Sequence, residues 1–484
     1  MFEWLSSIGV FTTIALFINF IIAIGIIFRE RKNPSATLAW IFVLFVLPVV
    51  GTIGYLFLSQ NISRKRLFKL SKNEEYFVRK SLKEQVEEMA GGNFPYSDEA
   101  YTWRDMVRLN QTYGGAYYTQ DNTADIITDG GDFMKSLLSD IKAAKSTINV
   151  EFYIVKYDEV GKSLIKALEE KAAEGVEVRF LVDAVGGREI WEKKLEGLTA
   201  AGGKFAFFFR PKLRAVNLKL NYRNHRKLVT IDGRVGYIGG FNVGREYLGR
   251  KKKFGYWRDT ALRFFGGCVR DIDGRFLLDW REASGEDIPL SKVWYEPARS
   301  DGKTGVQIVS SGPNSQKEEI KRGYMKMITS ARKNVYIQTP YFIPDQSILE
   351  SLKMAAQAGV DVRIMIPCMP DHMFVYWATY SYAADLVASG GRVFVYDKGF
   401  LHSKLIIADG EVFSCGSANF DRRSFSLNFE ANAFVYDAEE AERMERIFER
   451  DMLDCHELTK KLYENRSLWI KFKESISRLL SDLL

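Results

Sequence analysis

Cysteine is scarce in this sequence, with 4 residues among 484, and no two of them form a Cys-x-x-Cys pair. The wide spacing of the thiols argues against a zinc cage and against a disulfide framework, so a reducing compartment is expected. Proline is also rare, at 11 residues, while 46% of the residues are apolar and 27% are charged. This composition excludes a disordered or collagen-like chain, and the length predicts several domains.

Neither sign of charge dominates. Lys and Arg number 68 against 61 Asp and Glu, which leaves a net charge of +7. This small excess favours anionic partners and leaves both nucleic acid and anionic lipid open. Histidine is as scarce as cysteine, at 4 residues. His372 and His456 are interpreted as ordinary surface residues, whereas the other two stand in a repeated pattern.

Two long apolar runs open the chain. Residues 5–28 and 36–58 carry no charge, and each is long enough as a helix to cross a bilayer. The first run is too long for a cleavable signal peptide, and a second run follows it at once. A transmembrane hairpin is therefore predicted. Pro48 allows a kink in the second run, so a re-entrant second segment is the alternative.

The basic flanks of the hairpin give its orientation. Three cations lie in the connection and five follow the second run: Arg29, Arg31 and Lys32, against Arg64, Lys65, Arg66, Lys69 and Lys72. The larger group favours a multi-pass membrane protein whose long C-terminal part is cytoplasmic. Basic flanks on both sides also suit anionic lipid head groups.

An internal repeat follows. Residues 163–179, SLIKALEEKAAEGVEVR, align with residues 347–363, SILESLKMAAQAGVDVR, at a constant offset of 184. Each copy predicts a helix that ends at a glycine, Gly175 or Gly359, followed by a buried strand. A further apolar strand precedes each helix, so each copy predicts a β-α-β unit and a largely parallel sheet covered by helices.

The chemistry stands at the end of each repeat. His225, Lys227 and Asp232 follow the pattern His-x-Lys-x4-Asp-Gly, and His402, Lys404 and Asp409 follow it again. At the same distance beyond each histidine lies an asparagine, Asn242 in the first copy and Asn419 in the second, and Ser417 shortly precedes Asn419. A His and a Lys two residues apart on a strand project from the same face. The aspartates have the wrong parity for that face, and Asp-Gly is a hairpin signal, so turn formation and fixing of the site remain equally open for them.

Together the two copies predict one cationic site. Two histidines, two lysines and the amide and hydroxyl groups of Asn242, Ser417 and Asn419 suit the binding of a phosphate. The sequence contains no acidic cluster suited to Mg²⁺ and no His/Cys zinc set, so neither a metal nor a cofactor is predicted.

The twice-repeated motif resembles that of the phospholipase D superfamily. The resemblance to bacterial cardiolipin synthases runs over nearly the whole chain and includes the basic run 210–225, the segment QTPYFIP at 338–344 and the ERKNP segment at 30–34. It implies an α/β fold of two pseudo-symmetric lobes, with mixed, largely parallel sheets flanked by helices, after the N-terminal hairpin. The expected domains are a hairpin at 1–62, a linker at 63–115, and lobes at 116–300 and 301–484.

The same resemblance implies a chemistry. His225 would attack phosphorus and His402 would act as general acid and base, although the near-symmetric motifs do not distinguish the two. Lys227, Lys404, Asn242 and Asn419 would hold the phosphate, and Asp259 and Glu430 would orient the imidazoles. The expected reaction joins two phosphatidylglycerol molecules into cardiolipin and glycerol, in the cell membrane, with anionic lipids and not nucleic acid as partners. The oligomeric state is left open.

Other interpretations remain at this stage. A phospholipase D-type phosphodiesterase, acting on lipid or nucleic acid, would share the motifs, and a non-catalytic lipid scaffold is the third hypothesis. The basic run 210–227 is interpreted as a guide for head groups and acyl chains, with a solvated loop as the alternative. The amphipathic stretch 468–483 predicts a helix that docks on the protein core or lies at the membrane surface.

Overall fold

The computed structural model describes residues 2–29, 34–58, 67–68, 70–92, 96–210, 221–290, 300–315, 317–479 and 481. The chain forms two compact units, one of Met1–Arg64 with Pro211–Tyr222 and one of Lys65–Arg210 with Arg223–Leu484. Both copies of the motif belong to the second unit. Both ends of the basic run 210–227, Arg210 and Lys227, belong to the second unit, and residues 211–220 of the run lie outside the described residues.

The first unit is helical. Its helices are α1 (Phe2–Arg29), α2 (Pro34–Val46) and α3 (Pro48–Leu58). The second apolar run is thus divided at Leu47, because Pro48 has no N–H to continue a helical ladder and is well suited to start the next helix. The buried side chain of Asn19 donates to the carbonyl oxygens of Leu44 and Pro48, at 2.5 and 2.8 Å. This contact ties α1 to the break and satisfies the Leu44 carbonyl, which Pro48 leaves without an N–H donor.

None of the helices within the described ranges combines the length and the apolar character that crossing a membrane requires.

The segment predicted as a linker, 63–115, differs from that expectation. Its described part carries three helices, α4 (Lys72–Ala90), α5 (Asp98–Thr102) and α6 (Arg104–Thr112). Ser71 begins α4 with a capping box, in which its side chain and that of Glu74 each bind the other's backbone N–H. Trp103, Met106 and Val107 are buried in one apolar cluster with Tyr324. This burial is why the segment is helical and part of the core.

The first repeat follows with its strands and helices in alternation. They are β1 (Tyr118–Ile127), α7 (Gly130–Ala143), β2 (Thr147–Phe152), α8 (Glu159–Ala173), β3 (Glu177–Asp183), a 3-10 turn (Glu192–Leu195), α9 (Glu196–Ala200), β4 (Lys204–Phe208), β5 (Arg223–Asn224), β6 (Leu228–Ile231), β7 (Val235–Gly239), a 3-10 turn (Arg245–Leu248), β8 (Tyr256–Arg258), β9 (Ala261–Phe265) and α10 (Cys268–Ser284).

The second repeat has the same plan. Its elements are β10 (Thr304–Ser311), α11 (Glu319–Ser330), β11 (Asn334–Gln338), β12 (Phe342–Ile343), α12 (Gln346–Gln357), β13 (Asp361–Pro367), α13 (Met373–Ala388), β14 (Arg392–Tyr396), β15 (Gly399–Leu401), β16 (Leu405–Ala408), β17 (Val412–Gly416), β18 (Phe420–Asp421), α14 (Arg422–Ser426), β19 (Asn428–Tyr436), α15 (Ala438–Met452), β20 (Cys455–Glu457), α16 (Lys460–Glu464) and α17 (Leu468–Leu479).

The predicted β-α-β unit is present in both repeats. The order β2-α8-β3 in the first repeat matches β11-α12-β13 in the second, with parallel pairing of the two strands each time. Gly175 and Gly359 follow the helices with φ of 90° and 94°. Only glycine takes this left-handed conformation at little cost, so the predicted helix ends are confirmed.

One large sheet joins the two repeats, and it is mixed, not largely parallel. Its order is β20-β14-β13-β11-β16-β17-β19-β10-β1-β9-β7-β6-β2-β3-β4. Parallel pairs lie toward the ends of this order, whereas the strands from β11 through to β2 pair antiparallel. The prediction missed this because an Asp-Gly hairpin follows each motif strand, and a hairpin pairs its strands antiparallel.

The amphipathic C-terminal stretch forms α17, which docks on the protein and still exposes apolar side chains. Arg478 binds Asp385 of α13 at 2.6 Å, and Ser481 lies 3.0 Å from the Tyr382 hydroxyl. Leu468, Trp469, Phe472 and Leu479 are exposed. The contacts of α17 support the predicted docking on the protein core, and its exposed apolar side chains remain available for the predicted membrane contact.

Candidate active site

The two motif histidines stand immediately before their motif strands, His225 before β6 and His402 before β16. Both are buried, with 9% and 8% of their surface exposed. The backbone N–H of His225 donates to the carbonyl of Phe429, and that of His402 donates to the carbonyl of Arg258, at 2.9 and 2.7 Å. Each histidine of one repeat is thus fixed to a backbone segment of the other repeat.

Those backbone segments carry the predicted orienting carboxylates. Nδ1 of His225 lies 3.0 Å from both carboxylate oxygens of Glu430, and Nδ1 of His402 lies 2.6 Å from Oδ2 of Asp259. A carboxylate only accepts, so each Nδ1 carries the proton and each Nε2 presents a lone pair. The first repeat's histidine is oriented by the second repeat's carboxylate, and the reverse.

The ionisation of this cluster follows from burial and from the facing charges. Burial raises the pKa of Glu430, but His225 and Lys227 lower it to below its usual value. Burial likewise raises the pKa of Asp259, and Lys404 and His402 outweigh it. Burial lowers the pKa of His225, and burial together with Lys404 lowers that of His402 to about 4. The carboxylates are therefore ionised and the imidazoles neutral at pH 7.

The two lysines are buried beside the histidines. Each Nζ donates to the backbone carbonyl of the histidine in its own motif. Burial lowers the pKa of Lys227 to about 7 and that of Lys404 to about 8, and the charge of Lys404 lowers that of Lys227 further. Both lysines also lower the pKa of His402, so charged groups of the two repeats act on one buried site. An anion placed there would relieve the repulsion between the two ammonium groups.

The residues predicted to bind phosphate have different surroundings. Oδ1 of Asn242 accepts from the N–H of Ile154 at 3.0 Å, which leaves its amide nitrogen as the donor for a ligand. Ser417 donates to Glu430, so its hydroxyl orients the carboxylate. Oδ1 of Asn419 is buried and has no hydrogen-bond partner within the described ranges. Asn242 thus has a donor available for a phosphate oxygen, Asn419 offers an unpartnered acceptor, and Ser417 acts through Glu430.

Asp232 and Asp409, predicted among the catalytic groups, are not brought to the histidines. Seven residues of extended chain, about 23 Å at ~3.3 Å per residue, separate each aspartate from its histidine. Both sit at hairpin turns with φ of 54° and 57°. The Asp232 carboxylate accepts from the N–H groups of residues 145–147, and that of Asp409 from those of residues 332–334. Of the two interpretations left open for these aspartates, turn formation and fixing of the site, the contacts support turn formation.

Replacing Asp232 with alanine should therefore reduce the stability of the protein more than its catalytic activity. Three backbone N–H groups at the start of β2 lose their acceptor, and the left-handed φ disfavours alanine, so a loss of about 1–3 kcal/mol in the free energy of unfolding is expected. Asp232→Asn, which tolerates the φ, separates the two causes. Denaturant melts and activity per folded enzyme measure the effect. A variant of unchanged stability but with turnover reduced a hundredfold would instead place Asp232 in the reaction.

Comparison with known proteins follows this geometry. The family model described as "Cardiolipin synthase, PLD-like domain" matches residues 137–253 and 324–452, one match in each repeat. A second, "Phospholipase_D-nuclease N-terminal", matches residues 17–60. The chain is 47% identical to the major cardiolipin synthase ClsA of Bacillus subtilis (strain 168), over 99% of this chain and 100% of that protein. The chain belongs to the bacterial cardiolipin synthase family of the phospholipase D superfamily.

Other relatives agree with this assignment. A cardiolipin synthase of Staphylococcus aureus (strain Mu50 / ATCC 700699) is 46% identical to this member of the family, over 97% of this chain and 96% of that protein. The crystal structure of phosphatidylserine synthase from Haemophilus influenzae Rd KW20 matches with a TM-score of 0.58 and 14% identity, over 78% of this chain and 97% of that one. The structural match shows the phospholipase D-like fold.

Sequence reasoning missed the side chains that flank the imidazoles in this cardiolipin synthase family member. The ring of Tyr153 lies 4.9 Å from that of His225, and the ring of Trp257 lies 5.0 Å from that of His402. Trp257 could have been singled out from the sequence, because it precedes Asp259 by two residues and Asn428 precedes Glu430 by the same number. His456 is an exposed residue paired with Asp397, as interpreted, whereas exposed His372 lines a cavity that also reaches His225.

Proposed function

We propose that the protein is a membrane-integrated cardiolipin synthase that moves a phosphatidyl group from one phosphatidylglycerol to another through a phosphohistidine on His225. The observation that carries this proposal is the crossed pair of His–carboxylate contacts, with two lysines drawn from both repeats into the same buried site. Such a site provides two imidazoles that are held in the same way, and two ammonium groups whose charge can bind phosphate oxygens. Both lobes are required, with proposed limits of 116–300 and 301–484.

The first step breaks the bond between phosphorus and glycerol. Nε2 of His225 attacks phosphorus, and the proton on Nε2 of His402 passes to the leaving glycerol oxygen. His402 must be protonated at that point. Its low pKa stems from burial and Lys404, and the bound phosphodiester adds a negative charge that raises the pKa again. Glu430 stabilises the positive charge that His225 gains on attack.

The second step reverses the roles. His402 takes the proton from a hydroxyl of the second phosphatidylglycerol, whose oxygen attacks phosphorus as the bond to His225 breaks. Cardiolipin forms, and His402 is protonated again for the next cycle. One phosphodiester is broken and a similar one is made, so no nucleotide is consumed. Lys227, Lys404, Asn242 and Asn419 hold the non-bridging oxygens in both steps.

Transfer to a lipid hydroxyl must outcompete water. The rings of Trp257 and Phe400 pack against each other with centroids 4.8 Å apart, and both lie against the ring of His402. Aromatic walls there exclude water from the general base. This arrangement supports a transferase over a hydrolase of the same superfamily.

The membrane anchor is part of the same proposal. The runs 5–28 and 36–58 carry no charge, and large apolar side chains such as Phe17 and Phe42 are exposed on α1 and α2, at 65% and 67%. The basic residues that follow the second run favour a cytoplasmic catalytic part at the cell membrane. The exposed apolar face of α17 suits contact with the same membrane surface.

Purified protein given phosphatidylglycerol alone tests the function. It should release one glycerol for each cardiolipin formed, with no nucleotide added. Phosphatidic acid as the sole product would instead identify a lipid hydrolase. Cleavage of DNA under metal chelation, without lipid transfer, would identify a nuclease.

The lysines give the reaction a pH dependence. A lysine is charged below its pKa, and kcat/KM reports groups of the free enzyme, so kcat/KM for phosphatidylglycerol should fall on the basic side as Lys227 and Lys404 lose protons at about 7 and about 8. A loss of roughly tenfold between pH 7 and pH 9 is expected from titration of the second lysine alone. The Lys404→Arg variant keeps its charge and should flatten the upper part of the profile. A flat wild-type profile to pH 9 would contradict the role of the lysines.

A further inference from the structure

A cavity of about 330 Å³ opens beside His225 and is lined by residues of both repeats. Arg223 comes from β5, Arg423 from α14, and Asn428 from β19, while Asn419 and Tyr153 lie at the reacting end. The proposed mechanism uses His225 and Asn419 of this lining but assigns no role to the arginines. The cavity lining differs sharply from the corresponding place beside His402.

The two sides of the site are equivalent in backbone and different in side chains. Arg223, two residues before His225, pairs with Asn428, two residues before Glu430. In the other half, Phe400 and Trp257 hold the same two positions before His402 and Asp259, and they pair in the same parallel way. The aromatic pair fills its side of the site. The Arg–Asn pair leaves its side as a polar cavity.

The cavity lining carries three arginines, Arg223, Arg422 and Arg423, against one carboxylate, Asp421. Arg223 is buried, at 5% exposure, and Arg423 is half-buried. Burial lowers the pKa of Arg223, the Asp183 and Tyr153 side chains raise it, and the charge of Arg423 lowers it again. Arg223 and Arg423 thus line the same cavity, and their charges interact. Arginine pairs with little access to water are well suited to a phosphodiester, whose oxygens match the planar donor fork.

The cavity also offers acceptors. The side-chain oxygens of Asn419 and Asn428 are buried and have no hydrogen-bond partner within the described ranges. The amide nitrogen of Asn428 already donates to Glu430, at 3.1 Å, so its oxygen is directed to another donor. A buried amide oxygen without a donor costs free energy, which a ligand hydroxyl would recover. The ligand that fits presents both a phosphodiester and a hydroxyl group.

We infer that this cavity is the subsite for the second phosphodiester, that of the acceptor phosphatidylglycerol and then of the cardiolipin product, with Arg223 and Arg423 on its phosphate. The inference rests on the proposed function. Only a three-carbon bridge separates the attacking hydroxyl from the acceptor's own phosphate, so a hydroxyl placed between the histidines brings that phosphate alongside. Asn419 and Asn428 would accept from the hydroxyl that remains on the bridge. Water and free glycerol lack a phosphate and gain nothing from the arginines.

Two reactions of the same enzyme isolate this subsite. Cardiolipin formation in mixed micelles of phosphatidylglycerol needs the second phosphodiester. Exchange of labelled glycerol into phosphatidylglycerol uses the same donor, both histidines and both lysines, but its acceptor has no phosphate. Arg423→Gln should lower cardiolipin formation by about 10- to 100-fold, the usual effect of losing a charged hydrogen bond, and should lower exchange by less than threefold. Arg332→Gln, an exposed arginine of the second repeat outside the cavity lining, is the matched control and should change neither.

The ratio of the two rates decides the inference. An Arg423→Gln enzyme with the wild-type ratio, whether both rates fall or neither does, would overturn it. Arg423→Lys keeps a charge without the planar fork and should give an intermediate ratio, and it decides the question in the same way if the glutamine variant does not fold. A wild-type protein that exchanges glycerol but forms no cardiolipin would refute the proposed function, a different result from an unchanged ratio.

Discussion

The His225→Asn variant should form no covalent phosphatidyl-enzyme and should lose cardiolipin synthesis by on the order of 10⁴-fold or more, as expected when a nucleophile is removed. Asparagine keeps a polar group near Glu430 but has no lone pair that can attack phosphorus. Rapid quenching of enzyme with phosphatidylglycerol labelled in phosphorus measures the adduct, and product analysis measures turnover.

The control for this variant is His456→Asn. His456 is exposed and paired with Asp397, so the same chemical change there should leave both readouts at the wild-type level. Peptide mapping of the wild-type adduct should place the label on residue 225. Label on residue 402 would exchange the two histidines in the mechanism, and a His225→Asn enzyme with more than a hundredth of normal turnover would exclude His225 as nucleophile.

The His402→Ala variant should lose turnover by on the order of 10²–10⁴ or more, the range for loss of a general acid and base. Its defect should differ in kind from that of His225→Asn. The leaving glycerol oxygen needs a proton, but a p-nitrophenyl leaving group does not. A phosphatidyl p-nitrophenol donor should therefore restore adduct formation in His402→Ala, and the adduct should then persist because no base activates the acceptor.

Adduct accumulation separates this prediction from simple damage to the fold. His402→Ala should give a burst of p-nitrophenol close to one per active site, followed by slow turnover. Asp259→Asn, which leaves the imidazole in place but removes its anionic partner, should show a smaller loss with the natural donor. A loss below tenfold in His402→Ala, or a double His225→Ala/His402→Ala enzyme that retains activity, would contradict the chemistry proposed for the two histidines.

The local parts of this architecture could be read from the sequence. The pairing of His225 with Lys227 and of His402 with Lys404 on one strand face follows from the two-residue period of a strand. The helix ends at Gly175 and Gly359 follow from conformational preference. These features depend on residues a few positions apart. The structure confirms the helix ends, whereas the histidines and lysines precede β6 and β16, so the shared strand face stays a prediction.

The features that depend on distant pairing could not be read in the same way. The sequence offered Asp259 and Glu430 as orienting groups without indicating which histidine each would serve. That choice is made by pairing of β8 with β15 and of β5 with β19, between segments far apart in the chain. The antiparallel centre of the sheet and the buried helices within 63–115 likewise depend on partners that local patterns do not reveal. Asp232 and Asp409 matched a repeated motif, but motif membership did not distinguish a hairpin clamp from a group in the reaction.

The exchange of carboxylates between the repeats has a consequence for how such a protein can be divided or inherited. Either half on its own would carry a histidine with no acid to hold its ring, so a severed half should be inert until its complement is supplied. A single-copy ancestor would have needed to form a homodimer, in which the histidine of each subunit contacts the carboxylate of the other subunit. After the two copies were fused, the Arg223–Asn428 pair and the Phe400–Trp257 pair could diverge. A symmetric site could then acquire different subsites for the donor lipid and the acceptor lipid.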